Sequence, residues 1–250
     1  MKRFYLDLLK RHFAANKQML FLMGPRQVGK TTIIKDYAKL IPQSYYFNWD
    51  YQDDRKLILE GPNAIINQMD LSTLTKTKRL LLFDEIQKYK DWKNFLKGLY
   101  DRYSDEINII VTGSARLDIF QKGGDSLMGR YFPYYIHPFS ISEILGNKPN
   151  DHEMFPPKKI STVQFNRLWT YGGFPDPFIK KNRRFFNRWK LLRQKQLVEE
   201  EIRDLANVHD LDQIEVLANL LKIQSGQLLT YTSLSQKIRV SDKSVRSWLS

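Results

Sequence analysis

Short apolar runs alternate along the first 140 residues with stretches in which apolar positions recur every three or four residues. Met19–Met23 and Leu80–Phe83 are apolar throughout, and Ile107–Val111 nearly so. Runs of this length with no polar face predict strands of a sheet covered on both sides. Tyr45–Asp50 and Tyr134–Ile136 are predicted as two further strands. Helical spacing predicts a helix over 3–15, with Phe4, Leu8, Leu9 and Phe13 on one side. It predicts others through Ile33, Ile34, Tyr37 and Ala38, ending before Pro42, and through Ile65, Ile66 and Met69 after Gly61-Pro62. A further helix spans 91–103, with Trp92, Phe95, Leu96 and Leu99 inward. Strands separated by helices give an α/β fold with a parallel sheet and right-handed crossovers.

The pattern changes near residue 140. Pro149, Pro156 and Pro157 lie in a polar stretch that reads as a linker. From 161 the periodicity is helical, interrupted by Gly172-Gly173-Phe174-Pro175-Asp176-Pro177. The expected organisation is an α/β domain over 1–146, a linker over 147–160, a helical region over 161–225 and a partial helix-turn-helix over 226–250.

The strand at 19–23 runs directly into Gly24-Pro25-Arg26-Gln27-Val28-Gly29-Lys30-Thr31-Thr32, and helical periodicity follows. The pattern G-x-x-x-x-G-K-[ST] is complete and would arise by accident in roughly 1 of 100 chains this long. Strand, glycine loop and helix in that order are what a triphosphate-gripping P-loop requires. Gly24 and Gly29 let the backbone curl its N–H groups inward, and the helix adds its positive N-terminus. Lys30 would neutralise β/γ-phosphate charge, and Thr31 would offer its hydroxyl to Mg²⁺.

Leu80-Leu81-Leu82-Phe83-Asp84-Glu85 ends an apolar strand in two adjacent carboxylates. Asp84 is expected to hold the Mg²⁺ shell through water, and Glu85 to take a proton from attacking water as general base. The alternative is a helix cap followed by a surface acid. The fourth strand runs into Thr112-Gly113-Ser114-Ala115-Arg116, where Ser114, or Thr112, would contact the γ-phosphate or orient water. Arg130, closing Gly123-Gly124-Asp125-Ser126-Leu127-Met128-Gly129-Arg130, would stabilise transition-state charge within its own chain or across a subunit boundary in a homo-oligomer. A solvated surface arginine is the plainer reading.

Composition narrows the classes. Cysteine is absent, which excludes disulfides, thiolate catalysis and cysteine metal sites and fits a cytoplasmic protein. None of the four histidines forms H-E-x-x-H. No segment approaches 18 uninterrupted apolar residues, so no membrane-spanning helix is expected. Kinase signatures H-R-D and D-F-G are absent. The net charge of +13 favours polyanionic partners. Over 180–195 stand Lys180, Lys181, Arg183, Arg184, Arg188, Lys190, Arg193 and Lys195 with no acid among them. Phe185, Phe186 and Trp189 are interleaved at helical spacing, as a core face or as base-stacking platforms.

These motifs resemble the AAA-superfamily ATPases of bacteria and archaea that are paired with a DUF4143 region. The matching residues are the loop 24–32, Leu82-Phe83-Asp84-Glu85-Ile86-Gln87, Thr112-Gly113-Ser114-Ala115-Arg116 and Ser126-Leu127-Met128-Gly129-Arg130. They continue with Pro138-Phe139-Ser140, Glu143 and Gly172-Gly173-Phe174-Pro175. The resemblance implies a P-loop NTPase sheet of additional-strand type, with one strand between the P-loop strand and the Asp-Glu strand. It implies ATP and Mg²⁺ as ligands and places Pro175 against bound nucleotide, coupling nucleotide state to movement of 176–250. On the residues alone Gly173-Phe174-Pro175 is a rigid turn.

Residues 228–250 read as helix, turn, serine cap and helix, with Leu234, Ile238, Val240, Val245 and Leu249 inward and Lys243, Arg246 and Ser247 outward. The second helix stops at Ser250 without a cap or wing, so a truncated chain is expected. The leading function is a Mg²⁺-dependent ATPase that moves its C-terminal region. The alternative is a nucleotide-gated DNA-binding or interaction module of little turnover, using 228–250 and 180–195.

Overall fold

The computed structural model describes residues 3–69, 77–113, 127–147, 158–197 and 211–249. The chain divides into two compact units, Met1–Ile179 and Lys180–Ser250.

Among the described residues the first unit is built on five parallel strands: β1 (Met19–Met23), β2 (Ser44–Asn48), β3 (Arg79–Asp84), β4 (Ile107–Gly113) and β5 (Tyr131–Tyr135). Their order is β2-β3-β4-β1-β5. β4 therefore stands between the P-loop strand and the Asp-Glu strand, which is the expected additional-strand arrangement. Successive strand side chains point to opposite faces. Met19, Phe21 and Met23 enter one apolar cluster with Phe83, Trp92, Phe95 and Leu99. Leu20 and Leu22 enter another with Leu9, Ile33 and Ile34. The unbroken apolar runs are thus used on both sides of the sheet.

The helices of this unit are α1 (Tyr5–Ala15), α2 (Lys30–Ala38), α3 (Gln52–Glu60), α4 (Pro62–Asn67), α5 (Trp92–Tyr103), α6 (Ile141–Ile144), α7 (Thr162–Tyr171) and α8 (Pro175–Lys180). Three elements differ from the periodicity reading, one being α6, a single turn too short to show a period. α3 was not foreseen, because it buries Ile58 alone and its other positions are mostly polar. β5 begins three residues earlier than Tyr134 and contains Pro133. It is an edge strand, where a missing N–H can face away from the ladder.

The second unit contains α9 (Arg183–Gln196), α10 (Leu211–Ile223), α11 (Tyr231–Ile238) and α12 (Asp242–Leu249). Leu217, Leu234, Ile238 and Val245 form its core, with Val240 and Trp248 packed against them. Thr230 caps α11 by accepting from the Ser233 N–H, and Arg239 ends that helix in the left-handed conformation. The Asp242 carboxylate at the head of α12 accepts from the Thr232 and Ser235 hydroxyls, fixing the turn between the two helices. Lys243, Arg246 and Ser247 are exposed, as the pattern predicts, whereas Leu249, expected inward, is exposed as well; the Arg246 guanidinium lies 4.6 Å from the centre of the Tyr231 ring.

Candidate functional site

The site lies where β1, β3 and β4 end. Leaving β1, the chain turns at Gly24, where φ is 154° and a Cβ would fall 2.4 Å from the Ile136 carbonyl oxygen. Gly29 takes φ 97° and opens α2. These two positions need glycine for different reasons: close backbone approach at Gly24 and a left-handed conformation at Gly29. Val28 turns its side chain into the core. Lys30 is buried, and its ammonium donates to the carbonyls of Gly24 (2.8 Å) and Pro25 (3.0 Å).

Asp84 ends β3, 4 % exposed. One carboxylate oxygen accepts from the Thr31 hydroxyl at 2.8 Å and from the Tyr46 hydroxyl at 2.8 Å. The other accepts from Thr112 at the end of β4. Burial and the neighbouring Asp84 charge push the Tyr46 phenol well above its ordinary range, so it stays a donor. Tyr46 and Thr112 therefore aim the carboxylate at the P-loop threonine. Thr112 is wholly buried beneath Asp84, and Ser114, its alternative as γ-phosphate contact, lies outside the described residues.

Glu85 follows with φ 57°, a left-handed conformation that carries its side chain away from the line of the strand. Its carboxylate accepts from the Gln87 amide at 2.9 Å and lies 3.6 Å from the Lys88 ammonium. A cavity of about 280 Å³ is walled by Arg26, Gln27, Gly29, Lys30, Thr31, Thr32 and Glu85, together with Pro175 and Asp176. The structure thus brings Pro175 to the P-loop: its ring would be 3.9 Å from a Cβ on Gly29. Gly173 allows this approach, because its carbonyl accepts from the Phe139 N–H at 2.7 Å and a Cβ there would lie 2.5 Å from the Phe139 oxygen. A second cavity, of about 460 Å³, shares Gly29, Thr32, Pro175 and Asp176 and is otherwise lined mainly by Leu6, Ile33, Phe139 and Ile179, with Arg3 and Asp36.

Arg130 is not brought to this site. Its carbonyl accepts from the N–H of Met19, at the opposite end of β1 from the P-loop. A strand of that length separates the two ends by roughly 13 Å. Its guanidinium forms a two-point bond with Asp101 on α5, at 2.6 and 3.0 Å. A contribution within the same chain is therefore corrected by position.

The sequence reading missed Arg3, Tyr46 and the pairing of Arg3 with Glu143. Arg3 is buried, and its guanidinium donates to Glu143, to the Val28 carbonyl (2.9 Å) and to the His137 carbonyl (2.7 Å). Burial pushes the Glu143 carboxyl up, opposed by the bond from Arg3. The one available signal was Glu143 itself, three residues after the capping Ser140.

A parallel sheet with a strand inserted between β1 and β3, a P-loop on β1 and an acidic pair on β3 defines a P-loop NTPase fold. Residues 16–145, just over half of the chain, match the AAA domain family AAA_14, and the chain belongs to that family. Residues 162–250 match a domain of unknown function, DUF8612, in place of the DUF4143 region implied by the resemblance. An uncharacterized protein of Mycobacterium tuberculosis is 23% identical over 231 residues, 92% of this chain and 46% of that protein. One from Methanocaldococcus jannaschii is 24% identical over 273 residues, 96% of this chain and 57% of that protein. The chain spans about half the length of these curated relatives. The Walker-type ATPase of Pyrococcus abyssi has a similar fold, with a TM-score of 0.51 at 12% identity over 94% of this chain and 87% of that one. Among the described residues no helix is long and apolar enough to cross a membrane.

Proposed function

We propose that the first unit binds ATP with Mg²⁺ and hydrolyses it. The observation that carries this reading is the convergence of Lys30, Thr31 and Glu85 on one cavity, with Asp84 hydrogen-bonded to Thr31. The triphosphate would lie in the smaller cavity, against the N-terminus of α2, and the base in the larger, more apolar one beside it. Pro175 and Asp176 would contact nucleotide where the two cavities meet.

Thr31 and Asp84 place hard oxygen donors together, 2.8 Å apart, which suits Mg²⁺. When bound there, the ion would neutralise phosphate charge. Lys30 would leave the Gly24 and Pro25 carbonyls for the β/γ-phosphates, and the carbonyls would return to water. Glu85 would accept the proton of the attacking water, whose oxygen adds to the γ-phosphorus as the bond to the bridging oxygen breaks and ADP leaves. Ser114 remains a proposed γ-phosphate contact. Arg130 would serve only across a subunit boundary, in a homo-oligomer.

Hydrolysis would be coupled to movement of the C-terminal region through Pro175, which begins α8. A second reading, DNA binding by 180–195 and 228–250 under nucleotide control, is favoured by the exposed basic residues of α9. A protein consuming ATP with Mg²⁺ and carrying no cysteine suits the cytoplasm.

Steady-state hydrolysis of Mg·ATP by the wild type and by Glu85→Gln, with and without duplex DNA, tests these readings. Glu85→Gln is expected to bind ATP like the wild type and to lose about 10²–10⁴-fold in turnover. Equal turnover by both proteins would remove Glu85 as the base. Stimulation by DNA would tie the second unit to the cycle.

A further inference from the structure

The loop that forms the cradle is held from behind by a buried guanidinium. Arg3 does not line the smaller cavity, yet its Nη1 donates to the Val28 carbonyl inside the P-loop. Nη2 donates to His137 and Nε to Glu143, and the rings of Phe139 and Tyr5 lie 4.5 and 5.1 Å from the guanidinium carbon. The Val28 carbonyl and the Gly29 N–H belong to one planar trans peptide and point in opposite directions. A donor that fixes the carbonyl on the outer side therefore fixes the N–H on the inner side. Gly29 walls the phosphate cavity and takes a left-handed φ as it opens α2.

The other shoulder of the loop is fixed by the same segment. Gly24 lies against the Ile136 carbonyl, one residue before His137. The exit of β5 thus clamps the P-loop at both ends, sterically at Gly24 and through Arg3 at Val28. As a stability device a buried ion pair is poor, because desolvating both charges offsets most of the attraction. What an arginine supplies here is geometry: donors in one rigid plane that reach three acceptors on three segments at once.

We propose that Arg3, oriented by Glu143, is a positioning residue that aims the Gly29 N–H into the phosphate cradle. This rests on the reading that the cradle binds nucleotide. Arg3 sets affinity for any ligand carrying a β-phosphate and takes no part in the chemical step.

The test is titration of the full chain with a fluorescent ADP analogue and Mg²⁺, reading both the dissociation constant and the stoichiometry. Arg3→Lys keeps the charge and loses the planar fork. It is expected to weaken binding about tenfold or more with sites per chain unchanged. A merely structural role gives the opposite split: fewer competent molecules, each with the wild-type constant, and that result overturns the proposal. Glu143→Gln retains an acceptor for Arg3 and is the gentler second variant. It is expected to weaken binding severalfold at full stoichiometry, and an unchanged constant in it overturns the orienting role. If the wild type itself binds neither ADP nor ATP, the nucleotide reading fails first, and that outcome is distinct from a wild type that binds and an Arg3→Lys protein that binds equally well.

Discussion

The two units spend their apolar residues differently. In the first, every residue of β1 and β3 is buried, and apolar clusters cover both faces of the sheet. In the second, among the described residues, five apolar side chains are buried, four of them in one cluster and Ile214 beside it in sequence, and α9 buries none of its own. Leu191 and Leu192 on α9 are 70% and 64% exposed. The difference fits the two jobs proposed above, nucleotide binding in the first unit and partner recognition in the second. A phosphate cradle needs backbone groups fixed before the ligand arrives, and a deep core supplies that rigidity. A surface that recognises a partner keeps side chains in solvent, where they contribute little to folding and remain free to bind.

The largest effects should break this comparison if it is wrong. Phe83 is fully buried between Phe47 and Phe95, with ring centres 5.6 Å from each. Phe83→Ala should cost about 3–5 kcal/mol of unfolding free energy. Leu192→Ala should stay within about 0.5 kcal/mol. Urea denaturation of both variants checks the pair. A loss of several kcal/mol at Leu192 would mean that α9 is packed, and the contrast between the units would collapse.

The next effect sharpens the contrast on the side of recognition. On the proposed DNA-binding reading, replacing Arg184, Arg188 and Lys190 together by Ala should weaken duplex DNA binding. It should also flatten the dependence of log affinity on log salt by about 2.7, if each residue meets one phosphate, at roughly 0.9 per contact. Nucleotide affinity should not move. Fluorescence anisotropy across a salt series reads the slope. An unchanged slope would take α9 out of any DNA interface.

How far the sequence carried the reading follows from the range over which each feature is encoded. β1, β3 and β4 were legible because a strand covered on both faces is apolar along its own length. The P-loop and Asp84-Glu85 were legible because their residues are adjacent in the chain. α3 was hidden by its single buried residue, Ile58. Arg3 and Glu143 stand 140 residues apart, and Tyr46 and Asp84 stand 38 apart. No local pattern joins such pairs; only the strand order does, by placing β2 beside β3 and the exit of β5 beside the P-loop. The same-chain role of Arg130 fails in the same way, since the sequence shows an arginine near a glycine but not at which end of the sheet the next strand begins.

The smallest expected effect distinguishes the units by pH. His12 on α1 is buried. One ring nitrogen lies 3.0 Å from the Tyr134 hydroxyl and the other 2.7 Å from the Gln18 carbonyl. Burial pushes it below its ordinary value of 6.5, with the Gln18 bond opposing. The folded first unit therefore prefers the neutral ring, and the unfolded chain binds the proton more readily. Stability from this group is complete above pH 6.5 and declines as pH falls below it. In the second unit, bonds from Ser235 and Thr232 hold Asp242 below its ordinary 3.8. Its contribution is complete above that value and is lost only under stronger acid. Glu143, whose carboxyl burial pushes up, acts in the opposite sense to His12 within the first unit, so the His12 share must be read as a difference. Urea midpoints at pH 7.5 and 5.5 should fall further on acidification for the wild type than for His12→Gln. Hydrogen exchange at pH 5.5 should show the loss in the strands of the first unit before α11 and α12. Equal midpoint shifts in both proteins would mean that His12 is not held neutral. Loss in α11 and α12 first would mean that the sparse core of the second unit, rather than a buried imidazole, sets the acid limit of the chain.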